Sequence, residues 1–405
     1  MTTSIRVPGI RGAHAARGGP AATAQTINQA GETRSSAIES LRALAALAVL
    51  EGHVFGVSRG YGAGAYATFL DRTLLGGGFG VYLFFALTGY LLYRPFARRD
   101  LGDGRNLSLA RYAANRALRI LPLYYVVLIV YILWIDHGGT ATTWWRSVLF
   151  LENFYPKTLN HVDGVMWSLV VEVQFYVLLP FLALAIRALS GLSRRVTLIL
   201  LCGIGVVAEL VRLATVTTAP NLDVRWQYSL PATFVFFVPG MVLATLHSTW
   251  PEQRPAWLRG LRARSSAWLV ASLSFWAVVM WRYNLDVLVV PAVFLVVGAV
   301  VLPLDGTAVR RVLQWKPLAA LGVASYSLYL WHFPIVNQIA SSSWAPHSYP
   351  VLLAVCVPTS CVVAVVSYRL VEAPFLALRR NWTRPAAPAR ERGDVEASVA
   401  SSATI

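Results

Sequence analysis

The sequence predicts an all-α polytopic membrane protein, a bundle of about ten transmembrane helices with both termini cytoplasmic. Three observations predict it. Of the 405 residues, 56% are hydrophobic and 13% are charged, about half the charge of an ordinary soluble domain. The apolar residues gather into ten runs, each near the roughly 20 residues that a bilayer core demands. When the runs are threaded alternately, all but seven of the 35 Lys and Arg residues fall on one side, which the positive-inside rule makes the cytoplasm. The net charge of +16 is explained by this topology. The cations are scattered between apolar runs rather than clustered on one domain, so no nucleic-acid partner is expected.

Along the chain, residues 1–37 are rich in Ala, Gly, Thr and Arg and lack the apolar core of a signal peptide, which predicts a disordered cytoplasmic tail. Residues 38–378 form the expected membrane domain. Its spans are predicted at about 40–58, 77–96, 118–136, 167–187, 195–213, 229–248, 266–281, 286–303, 318–340 and 350–371. Residues 379–405, rich in Pro, Ala and Ser, read as a second disordered cytoplasmic tail. Inner segments hold Arg94–Arg119, Arg187–Arg195, Arg254–Arg264 and Arg310–Lys316. Outer ones keep Arg59, Arg72, Arg146, Lys157, Arg212, Arg225 and Arg282. Cys202, Cys356 and Cys361 lie within apolar runs without metal-ligand or disulfide spacing, so no metal is expected.

The first run, "IESLRALAALAVLEGHVF", carries Arg42 and His53. Charge inside a span is costly and marks function by default. Eleven residues make three helical turns, so both side chains share one face about 16 Å apart in height. Such a stripe suits a path across the membrane; the plainer alternative is a snorkelling Arg42 and a His53 that caps the helix end. The fourth run, "VMWSLVVEVQFYVLLP", brings Glu172 to a similar depth from the opposite direction. A carboxylate beside His53 would hold its tautomer and raise its basicity, as a general base requires. A structural ion pair with Arg212 or Arg225 is the other reading. "SYSLYLWHFPIV" offers Ser325, Tyr326, Tyr329 and His332 as lining for an acceptor site or channel, though such a segment also serves helix packing. In "RYAANRALRILPLYY", Arg116 and Arg119 share a helix face at the membrane edge. This arrangement suits phosphate clamping, and equally topology or anionic lipid headgroups.

Taken in order, "ESLRALAALAV…H", "GVYLFFALTGYLL", "NRALRILPLYY", "WSLVVEVQFY", "SYSLYLWHFPIV" and "YRLVEAPF" resemble the acyltransferase-3 family of integral-membrane O-acyltransferases over almost all of residues 38–378. The resemblance implies transfer of an acyl group, by default acetyl, from cytoplasmic acyl-CoA to a hydroxyl of a glycan, glycolipid or glycosylated, macrolide-type metabolite. It implies no permanently bound cofactor. His53 matches the family's essential histidine, Arg42 its paired arginine, Glu172 its Val-Glu-x-x-Phe-Tyr acid, and Arg116 and Arg119 its Arg-x-x-Arg pair. Tyr82 stands where an acid is frequent, Thr88 where Ser is usual, and Val173 where a second acid is usual. The expected mechanism uses His53, oriented by Glu172, as general base, with Arg42, Arg116 and Arg119 on the donor's phosphates. A proton-coupled secondary transporter is the alternative, since carriers also use intramembrane His, Glu and Arg. Carriers commonly show paired halves and broken helices, neither of which is visible in the sequence.

Overall fold

The computed structural model describes residues 20–60, 67–102, 104, 107–135, 139–155, 164–217, 224–250, 258, 260–282, 285–306, 308–346 and 348–383. The outer parts of both expected tails lie outside the described residues, as do Arg105, Lys157, Arg254 and Arg259. Among the described residues there are helices and turns but no strand, only an isolated bridge between Arg264 and Asp305. The principal helices are α1 (Pro20–Arg59), α2 (Gly80–Leu101), α3 (Leu109–Val130), α4 (Met166–Ser190), α5 (Arg194–Thr217), α6 (Val238–Ser248), α7 (Ser265–Trp281), α8 (Val289–Val301), α9 (Ser325–Ala340) and α10 (Tyr349–Ser367).

Each of the ten predicted runs overlaps one of these helices, though those at 229–248 and 318–340 each begin on a separate, shorter helix. Six described segments are long and apolar enough to cross a membrane: Ser36–Arg59, Phe69–Leu101, Leu109–Ile135, Met166–Ser190, Arg194–Thr217 and Tyr349–Leu378. The chain is accordingly a multi-pass membrane protein. The runs at 229–248 and 318–340 are not straight. Leu230–Phe236 meets α6 at 42°, and Lys316–Val323 meets α9 at 74°, which makes up to eight spans if each bent pair counts as one. The sequence reading expected no broken helix. Hydropathy sums apolar length and is blind to direction, whereas Pro231, Pro239 and Pro317 restart a helix at its first turn, where the lost N–H costs nothing.

Close backbone approach holds the bundle. Gly89 of α2 and Gly240 of α6 face each other's helices so tightly that a Cβ on either would strike the opposing main chain, the small-residue packing common between membrane helices. Gly322 lies equally close to the Glu39 backbone, which lets the segment before α9 lie against α1. Tyr90, Phe85, Phe175 and Phe237 fill the core between α2, α4 and α6.

A polar knot closes the end of α5. Arg212 Nε and Nη2 donate to Glu209 at 2.8 and 2.6 Å, and its Nη1 and Nη2 donate to Asp286 at 2.5 and 3.3 Å. Arg212 also lies over Phe236, on which Tyr82 stacks with ring centroids 3.7 Å apart. Arg212 therefore pairs with Glu209 and Asp286, and Arg225 donates to the Phe154 carbonyl at 2.6 Å.

Candidate active site

Five helices send polar side chains to one pocket enclosing about 750 Å³ of non-atom space, part of it open to the surroundings. Arg42 comes from α1, Thr88 from α2, Arg116 and Arg119 from α3, Ser168, Glu172 and Tyr176 from α4, and Ser325, Tyr326 and Tyr329 from α9. Leu87, Leu91, Leu92, Phe84 and Ile120 are among its apolar walls. Seven of the nine residues singled out from the sequence thus share one cavity.

The pocket's frame is hydrogen-bonded. Arg42 Nε donates to Ser325 Oγ at 3.1 Å, with Glu39 3.8 Å away. Tyr326 donates to the Ile120 carbonyl at 3.0 Å, and Tyr329 bonds to Ser168 Oγ at 2.6 Å and to the Val165 carbonyl at 3.2 Å. These two tyrosines tie α9 to α3 and α4, and on this showing they are frame as much as lining. Thr88 Oγ1 donates to Glu172 Oε1 at 2.6 Å, so the Thr at this position keeps the hydroxyl that a Ser would supply.

The arginines differ from this frame. Arg116 Nε and Arg119 Nη2 are buried and make no hydrogen bond. Buried donors are nearly always satisfied, so orphans in a pocket wall call for a ligand or water that accepts from them. Three guanidiniums surround a cavity where Glu172 lies within electrostatic range of Arg42. The donor set fits a multiply anionic group.

Glu372, in the π-helical turn after α10, stands outside the pocket's lining but near its arginines. It lies within electrostatic range of Arg42 and Arg119 and is 3% exposed. Sequence reasoning does not single it out. Its signal was a lone carboxylate at the end of an apolar run, inside "YRLVEAPF".

His53 sits elsewhere, and its expected pairing with Glu172 does not form. The Glu172 carboxylate is engaged by Thr88 in the arginine pocket, because α4 packs on α2, while His53 lies on the seam between α1 and α9. Its partner there is His332. His332 Nε2 lies 3.2 Å from His53 Nδ1, and the ring centroids are 5.1 Å apart. His53 Nδ1 is also 2.8 Å from the Val49 carbonyl, and His332 Nδ1 is 2.6 Å from the Tyr329 carbonyl. A carbonyl accepts only, so both Nδ1 atoms carry hydrogen when the rings are neutral. His53 Nδ1–H is then shared between Val49 and the His332 lone pair, which leaves the His53 Nε2 lone pair as the basic atom. His332 is fully buried, His53 half-buried with Phe333 edge-on at 4.9 Å. Arg42 and His53 do share a face of α1, for both meet α9, at Ser325 and His332. Among the described residues, no three His, Cys, Asp or Glu side chains cluster as a metal ion would need.

A family model described as an acyltransferase domain, Acyl_transf_3, matches residues 35–369. The chain is 24% identical over 379 residues to the peptidoglycan O-acetyltransferase OatA of Listeria monocytogenes, an alignment covering 85% of this chain and 56% of that protein. It is 25% identical over 375 residues to the putative peptidoglycan O-acetyltransferase YrhL of Bacillus subtilis, covering 84% and 54%. A putative O-acetyltransferase of Staphylococcus aureus is 24% identical over 374 residues, covering 84% and 56%. The chain spans about half the length of the curated relatives it matches. No solved structure matches it.

Proposed function

The chain belongs to the Acyl_transf_3 acyltransferase family, and from that premise we propose that it is a membrane O-acyltransferase. It moves an acyl group, acetyl by default, from cytoplasmic acyl-CoA to a hydroxyl of a glycan, glycolipid or glycosylated metabolite. The observation that carries this reading is the pair of buried, unpartnered arginine nitrogens in a cavity that also holds Arg42. Such nitrogens are free to donate to an incoming anion, and acyl-CoA carries several phosphate charges. Relatives named as peptidoglycan O-acetyltransferases support a glycan hydroxyl as acceptor.

In this reading ten helices cross the membrane, the two short ones and both bent pairs included, with both tails cytoplasmic. The Arg42 end of α1 then faces the cytoplasm and the His53 end the outside. Arg42, Arg116 and Arg119 hold the donor's phosphates by charge-assisted hydrogen bonds, while Glu172 and Thr88 brace the wall opposite. The acceptor enters at His53. Its hydroxyl proton passes to His53 Nε2 as the oxygen attacks the thioester carbonyl; the C–S bond breaks and the imidazolium returns the proton to the leaving thiolate. His332 accepts from His53 Nδ1–H and holds the ring in the tautomer that leaves Nε2 free. It takes the orienting part first expected of Glu172.

A broken helix is a feature shared with carriers, so the discriminating experiment is chemical. Mass spectrometry of surface glycans and secreted metabolites, with and without the gene, should reveal an acylated species that depends on the chain. An unchanged acylation profile, with a small molecule accumulating on one side of the membrane, would favour the carrier.

A further inference from the structure

Glu372 lies where the arginine pocket meets the start of α9. That helix begins after a 74° bend, and its N-cap residue, Ala324, has no side-chain acceptor for the first N–H groups. The Glu372 carboxylate supplies an acceptor there from another helix. Its Oε1 accepts from Ser327 Oγ at 2.5 Å, in the first turn of the helix. The π-helical turn Tyr368–Glu372 delivers the side chain, and such distortions often mark functional positions. The Ser327 bond accounts for one oxygen. The other, Oε2, is buried with no hydrogen-bond partner, and Arg42 and Arg119 are the cations within its electrostatic range.

We propose that Glu372 is the resident counterion of the donor pocket, a positioning residue that holds α9 through Ser327 and competes with the donor's phosphates for Arg42 and Arg119. The inference rests on the donor-site reading above. Three guanidiniums opposed only by Glu172 and, at Arg42, by Glu39 would grip a polyanion in substrate and product alike, and such uniform binding does not speed turnover. A further carboxylate, this one buried, weakens the grip. It sets a balancing charge near the arginines in the empty site and lets spent coenzyme A leave.

The test is coenzyme A binding to the purified full-length chain as wild type, Glu372→Gln and Ser327→Ala. Gln retains an acceptor for Ser327 but removes the charge, so affinity should rise about tenfold, with kcat and KM for acyl-CoA falling together. Ser327→Ala leaves the charge and frees the carboxylate to turn toward the arginines, so affinity should fall. A brace with no electrostatic role moves both variants in the same direction or neither, and either pattern overturns the proposal. If Glu372→Gln does not fold, Ser327→Ala decides, and binding as tight as wild type or tighter overturns it. A wild-type chain that binds no coenzyme A overturns the donor-site reading itself. Binding that is lost in Arg119→Ala but unchanged in Glu372→Gln overturns this inference alone.

Discussion

Arg212, near the end of α5, uses all three of its guanidinium nitrogens on Glu209 and Asp286. Arg116 and Arg119 of α3, in the same bundle, leave buried nitrogens without a hydrogen bond. The sequence offers no distinction between them, since each is an arginine in or beside an apolar run. The difference lies in whether a carboxylate of the chain bonds the guanidinium nitrogens directly. Where it does, the cluster is a brace, and removing one partner strands the others' charge. Where it does not, the cluster keeps its capacity for a ligand. Partner count, more than burial, separates the two roles.

Neutralising the open cluster should have the largest effect. The double variant Arg116→Ala/Arg119→Ala loses two charged contacts, each worth roughly one to two decades of affinity. Isothermal titration should therefore show coenzyme A binding weakened by about 10²–10⁴, with thermal stability close to wild type. Unchanged binding would reduce these arginines to topology and lipid contacts.

The closed cluster should respond in the opposite way. Arg212→Ala leaves Glu209 and Asp286 facing each other without a cation and should cost about 3 kcal/mol of stability. A denaturation midpoint would register this, while the folded fraction still binds coenzyme A normally. Loss of binding at full stability would erase the contrast.

A smaller effect concerns a buried carboxyl group outside the spans. Glu152, 2% exposed in the turn Glu152–Phe154, accepts from Ser147 Oγ at 3.2 Å, and burial raises its pKa to about 8. The folded chain thus keeps a proton that the unfolded chain releases near pH 4.5. The resulting stability is fully present below that pH and is lost as pH rises through about 8. Wild type should weaken by about 1–2 kcal/mol between pH 5 and 9, the shift being discounted for solvent relaxation. Glu152→Gln should flatten that slope in melts at the two pH values. A slope unchanged in the variant would assign it to another group.

Much of the fold is legible because hydropathy over 20 residues reports apolar helices directly, and all ten runs meet helix. The 42° and 74° bends escape it, since a run restarted by Pro231, Pro239 or Pro317 is as hydrophobic as a straight one. The pocket is legible for a related reason. Arg42 and Glu172 are costly inside a membrane, which exposes them, and Arg116 and Arg119 stand out by their spacing on one helix face at its edge. Pairing between distant residues is not. His53 and His332 are 279 positions apart, and only the packing of α1 on α9 brings them together. Glu172 resembled the better partner because helix depth can be read from sequence, whereas the face of the neighbouring helix cannot. Glu372 escaped notice at the edge of its run, where a carboxylate reads as an interfacial residue.

The central claim is that His53 is the base of an acyl transfer whose donor binds at the arginines. Its most direct test is acyl transfer from labelled acetyl-CoA in membranes containing the native acceptor, with coenzyme A binding measured on the same preparations. His53→Ala should lose about 10²–10⁴-fold in turnover while binding stays intact. His332→Ala should lose part of that, and the double variant should be little worse than His53→Ala, because the two rings act as one unit. Near-normal transfer by a folded His53→Ala chain would contradict the account.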